Sequence, residues 1–108
     1  MNDPILIIGG NSGIGLETAK KLRDQKLELI AAARHTEPLA ELDIPVQAYD
    51  LSEDATLDLP EKLGGLVYFP GTINLKPFHR LTSDDFQRDF EINCLGAVRA
   101  IRAALPAL

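Results

Sequence analysis

A chain of 108 residues has room for one small domain, and its 45% apolar and 25% charged content is ordinary for a globular protein. Eleven basic against sixteen acidic side chains leave a net charge of −5 with no basic run, which argues against nucleic acid and anionic membrane as partners. The single cysteine, Cys94, excludes an internal disulfide framework, the opening Met-Asn-Asp-Pro lacks the features of a secretion signal, and no apolar run approaches the roughly 20 residues of a membrane span. A soluble, cytoplasmic protein without a metal site is the expectation.

Ile5-Leu6-Ile7-Ile8 is a continuous apolar run rich in β-branched residues and closed by glycine, the pattern of a strand buried on both faces of a parallel sheet. From Ile14 to about Gln25 the period becomes helical. Ile14, Thr18 and Leu22 fall at i, i+4 and i+8, with Ala19 beside them, which predicts an amphipathic helix. Leu27–Ala33, Val46–Tyr49 and Leu66–Phe69 read as three more short strands, the last ending at Pro70-Gly71. Short helices fit Leu39–Leu42 and Ser52–Leu63, the second made irregular by Pro60.

A last, long helix is predicted over Ser83–Leu105. Thr82 or Ser83 can cap it, and Thr82 with Asp85 resembles a capping box despite the short aspartate. Phe86, Phe90, Ala97, Ile101 and Leu105 keep helical spacing up to Pro106. From Ile92 onward nearly every face is apolar or small, so this helix is expected to be buried on more than one side. Alternating strands and helices predict an α/β fold, a Rossmann-like doubly wound parallel sheet in incomplete form. Its four strands and flanking helices would make one domain over residues 1–108.

The stretch between the first strand and the first helix, Gly9-Gly10-Asn11-Ser12-Gly13-Ile14-Gly15, carries the main functional signal. A phosphate loop of the Walker type needs lysine and a hydroxyl residue after its last glycine, but Leu16 and Glu17 stand there. The fingerprint GxGxxG starting at Gly13 fails at Thr18. What fits is Gly9-x-x-x-Gly13-x-Gly15. Gly9 and Gly10 turn the backbone out of the strand, Gly13 admits a ligand close to the main chain, and Gly15 lets the helix start pack on the sheet. Free N–H groups at the helix start would then face a diphosphate. A Gly/Asn-rich turn without ligand is the other reading of the same residues.

The spacing resembles the cofactor loop of the short-chain dehydrogenases/reductases, TGxxxGxG, with Ile8 where that family usually has threonine or a small residue. The resemblance runs from Ile5 to Leu108 and covers the cofactor-binding half of the family domain. It implies that Gly9, Asn11, Ser12, Gly13, Ile14 and Gly15 hold a nicotinamide dinucleotide. In that fold the end of the second strand reads the adenosine ribose, and here it carries Arg34, with no acid at the tip. A planar guanidinium suits a 2′-phosphate, so NADP(H) is favoured over NAD(H). A solvated arginine and a surface histidine are the plain alternatives for Arg34 and His35.

Asp50-Leu51 is similar to the family's pair that meets the adenine. Tyr68-Phe69-Pro70-Gly71 stands in place of Asn-Asn-Ala-Gly, so Gly71 would border the cofactor while both asparagines are absent; an apolar strand with a Pro-Gly turn accounts for the same residues. Asn93 matches the family asparagine of a proton relay and is the one catalytic candidate, its rival reading being a buried structural amide. Cys94 beside it is expected to be a small core residue.

The family's catalytic tyrosine with a lysine four residues on has no counterpart here: Tyr49 is followed at that spacing by Glu53 and Tyr68 by Thr72. Two readings stand. In the first, this is the cofactor-binding half of an oxidoreductase moving hydride between nicotinamide and a small carbonyl or alcohol substrate, inactive alone, with Ser and Tyr-x-x-x-Lys expected beyond Leu108. In the second, it is a non-catalytic NADP(H)-binding module or subunit completed by a partner. Either way, a homo-oligomer formed through the 83–105 helix is expected.

Overall fold

A computed structural model describes residues 3–51, 56–72 and 74–108. Four parallel strands form one sheet in the order β3-β2-β1-β4, where β1 is Ile5–Ile8, β2 Leu29–Ala33, β3 Val46–Ala48 and β4 Gly65–Tyr68. All four predicted strands are present: β1 has its predicted bounds, β2 and β3 are shorter than predicted, and β4 lies one residue earlier. β1 lies inside the sheet, with Ile7 opposite Ala31 on one side and Val67 on the other.

Residue alternation divides the core between the two faces. Ile7, Ala31 and Ala33 point to one face and pack with Ala19, Leu39 and Ile44. Leu6, Ile8 and Ala32 point to the other and pack with Tyr49, Leu63, Ala100 and Ala104. The first face is covered by α1 (Gly13–Asp24) and α2 (Glu37–Ala40). The second is covered by α4 (Gly96–Ala104), which continues α3 (Ser83–Phe90) through a π-helical segment, Glu91–Leu95. A short 3₁₀ turn, Phe78–Arg80, precedes α3.

Three local expectations take a different form here. The buried stripe of α1 is Gly15 and Ala19, whereas Ile14 is 81% exposed. Thr18 turns its hydroxyl back to the Ile14 carbonyl at 2.8 Å and does not join the core stripe. Residues 56–63 carry no helix, and 52–55 lie outside the described residues. The long helix buries only the small stripe Gly96, Ala100 and Ala104, while Phe86, Phe90, Val98, Ile101 and Leu105 are exposed. Small residues face the sheet because they let the helix approach it closely, which leaves the large apolar side chains outward. The predicted capping box is formed: Thr82 Oγ1 accepts from the Asp85 N–H at 3.1 Å, and Asp85 Oδ2 accepts from the Thr82 N–H at 3.0 Å. These contacts, with Lys76, hold the Asp85 carboxyl below its ordinary value, the Thr82 backbone bond being the largest cause.

Candidate functional site

β1 ends where the sheet topology changes direction, between β2 and β4, the place where open α/β sheets form ligand crevices beyond the strand ends. The glycine turn shapes one wall. Gly9 extends the ladder by donating to the Ala32 carbonyl at 2.8 Å, then turns at φ +83°. A Cβ there would lie 2.7 Å from Pro70 Cγ, so conformation and space both select glycine. A Cβ on Gly15 would lie 2.9 Å from the Gly10 Cα and 3.0 Å from the Phe69 ring, so Gly15 seats α1 against the turn and the end of β4. Gly13 differs: its φ is +54°, yet an added Cβ meets nothing within 4 Å. The main chain lies open there. Ser12 is extended at the start of α1 without a side-chain capping bond, and the first turn holds no acidic residue. The helix start thus presents N–H groups and positive dipole without an acidic side chain of its own.

A cleft of about 520 Å³ opens above this turn. Gly9, Asn11, Ser12, Ile14 and Gly15 line one side, Arg34 and His35 the end of β2, and Phe69, Pro70, Gly71, Thr72 and Ile92 the opposite side. The sequence-predicted residues therefore converge, with three displacements. Gly13 faces the outer side of α1 and is not in the lining. Asp50 is exposed, and Tyr49 and Leu51 on either side of it supply the lining. Asn93 is exposed, which removes the buried-amide reading, and stands behind the lining, where it grips a peptide. Its Oδ1 accepts from the Thr72 N–H at 2.8 Å and its Nδ2 donates to the Thr72 carbonyl at 2.9 Å. Cys94 is exposed, not in the core.

Sequence reasoning missed the Thr72 cluster and the work of Tyr68. Thr72 Oγ1 donates to Asp89 Oδ1 at 2.5 Å, and Asn74 Nδ2 donates to Asp89 Oδ2 at 3.0 Å. Tyr68 Oη donates to the Ile92 carbonyl at 2.7 Å. Burial pushes this phenol up to about 12, reinforced by Tyr49 and opposed by Arg99. Burial also raises Tyr49, with Arg99 opposing and Asp50 adding to the shift. Polar atoms at i and i+24 carry no sequence period, so the Tyr68–Ile92 contact had no signal to find.

Residues 3–108 match the family model described as short chain dehydrogenase. An uncharacterised oxidoreductase of Listeria monocytogenes is 25% identical over 123 residues, covering 98% of this chain and 50% of the relative. A coniferyl-alcohol dehydrogenase of a Pseudomonas species is 41% identical over 75 residues, covering 65% of this chain and 29% of the relative. Among solved structures, the Thermoplasma acidophilum aldohexose dehydrogenase superposes with a TM-score of 0.84 at 18% identity, covering 98% of this chain and 44% of that one. The chain spans half or less of the length of these relatives. No helix among the described residues is long and apolar enough to cross a membrane. The fold, the glycine turn at the strand-order reversal and the family match together identify the chain as a member of the short-chain dehydrogenase family.

Proposed function

We propose that the cleft binds a nicotinamide dinucleotide, NADP(H) in preference to NAD(H), as the cofactor-binding part of an oxidoreductase acting on a small carbonyl or alcohol. The observation that carries this reading is the glycine turn that lines the cleft through Gly9, Asn11, Ser12 and Gly15, beside an α1 start that carries neither side-chain cap nor first-turn acid. A diphosphate fits that cradle, because it accepts from N–H groups and meets the positive end of the helix dipole. Gly9, Asn11, Ser12, Ile14 and Gly15, which line the cleft, would hold it. Arg34, on the cleft wall at the end of β2, would fork a 2′-phosphate. Leu51 would meet the adenine with Asp50 at the rim, and Gly71 would border the nicotinamide half. Asn93 would serve the reaction by fixing the Thr72 peptide.

A bound nicotinamide would supply hydride chemistry; the residues of this chain bind and orient it. Neither tyrosine is suited to protonate a carbonyl oxygen. Tyr68 already donates its proton to Ile92 and sits at about 12, and Tyr49 is buried and raised. We therefore expect residues 1–108, read as one domain, to bind cofactor without turnover on their own. The exposed apolar side of the 83–105 helix supports oligomer formation through that helix, and the single cysteine suits a cytoplasmic setting. The test is a pair of titrations, NADPH and NADH, against the wild-type chain and Arg34→Ala. NADPH affinity is expected to fall by roughly tenfold or more in R34A, the size of a charged hydrogen bond, with NADH unchanged. Wild-type binding of NADH as tight as NADPH would remove the role given to Arg34.

A further inference from the structure

The π segment Glu91–Leu95 ties three stretches of the cleft wall through three consecutive residues. Glu91 Oε2 accepts from Arg99 Nη1 at 2.8 Å, and the same nitrogen donates to the Leu51 carbonyl at 3.3 Å. The Ile92 carbonyl accepts from Tyr68, and Asn93 grips the Thr72 peptide. Of these contacts, the Tyr68 bond is the one made to the backbone of the segment. The Gly96 N–H donates to the Glu91 carbonyl, five residues back. In α-helical register it would have donated to Ile92, whose carbonyl the phenol now holds. Position 96 is kept clear for that phenol: a Cβ there would collide with the Tyr68 hydroxyl and lie 3.2 Å from the Glu91 carbonyl.

We propose that Tyr68 is a positioning residue for the cleft: by holding the Ile92 carbonyl it fixes the π register, and so sets Asn93 against the Thr72 peptide beside Gly71. Removing one residue from a helical turn rotates the N-terminal part of the helix by about 100° relative to the C-terminal part. Relaxation of Glu91–Leu95 to α-helix would therefore swing Asn93 away from Thr72 and release the wall that faces a bound dinucleotide. The ligand half of this inference rests on the dinucleotide reading of the cleft. The positioning half does not.

The experiment uses Tyr68→Phe, Gly96→Ala and Asn93→Ala in the purified chain. Exchange of the Thr72 amide is followed by NMR, and NADPH affinity by fluorescence titration. Y68F keeps the ring and removes only the hydroxyl; G96A keeps the hydroxyl and fills its place. Both are expected to speed Thr72 exchange and to weaken NADPH binding about fivefold, the equivalent of one net hydrogen bond. N93A is expected to do the same, and Y68F combined with N93A to be no worse than N93A alone. Wild-type Thr72 exchange in both Y68F and G96A would overturn the proposal, as would effects of Y68F and N93A that simply add. A wild-type chain that binds no NADPH would overturn the dinucleotide reading and the ligand half with it, while the exchange rates still decide whether Tyr68 positions Asn93.

Discussion

The two walls of the cleft are made from different materials. The wall at β1–α1 is main chain: Gly9 and Gly15 shape it by lacking side chains, with neighbours within about 3 Å of where a Cβ would be. The wall beyond β4 is assembled by side chains, with Tyr68, Asn93 and Arg99 holding carbonyls and amides of distant segments. A wall of the first kind fails when an atom is added, a wall of the second kind when one is removed. On the proposed dinucleotide reading the chemistry would be divided in the same way, since phosphate oxygens accept from a row of N–H groups, while the far wall would hold its loops in place.

This contrast can be tested in steps of falling size. Gly15→Ala is expected to be strongly damaging, costing roughly 1–3 kcal/mol by overpacking against Gly10 and Phe69. Chemical denaturation measures it, and NADPH binding should be lost with it. Gly13→Ala has open space, so only the positive φ opposes it, and roughly 1–2 kcal/mol is expected. If G13A were as harmful as G15A, the distinction between open cradle and packed seat would fail.

On the far wall, pH provides a smaller effect. The Tyr68 phenol sits at about 12 in the folded chain against an ordinary 10.0. A raised value means that its contribution is complete below pH 10 and is lost as pH climbs from 10 to about 12, because the unfolded chain deprotonates first. Urea midpoints measured across that window should decline, and Y68F should flatten the decline.

The same difference between the walls explains how much was legible in the sequence. The glycine turn declares itself because glycine has few substitutes where φ is positive, as at Gly9 and Gly13, or where a Cβ has no room, as at Gly15. The capping box was legible because its two partners lie only three positions apart. Ile14 misled, since a large apolar residue in helical phase reads as core, yet here it is exposed on the cleft wall. The long helix misled for the converse reason. Its buried stripe is Gly96, Ala100 and Ala104, and residues that carry little hydrophobic signal pack closest to the sheet. Tyr68 was visible as a departure from the family's asparagine, but its target is a carbonyl in a π register that no sequence period announces. Cys94 and Asn93 fall in that same segment, and both are less buried than their apolar surroundings in the sequence imply.

The most direct measurement is a map of backbone amide shifts on adding NADPH to the isotope-labelled chain. Saturable shifts are predicted at Gly9–Gly15, Arg34 and Gly71–Thr72, with the outer face of α4 around Ile101 unmoved. Shifts that avoid the glycine turn, or none at saturating NADPH and NADH, would contradict a dinucleotide site in this cleft.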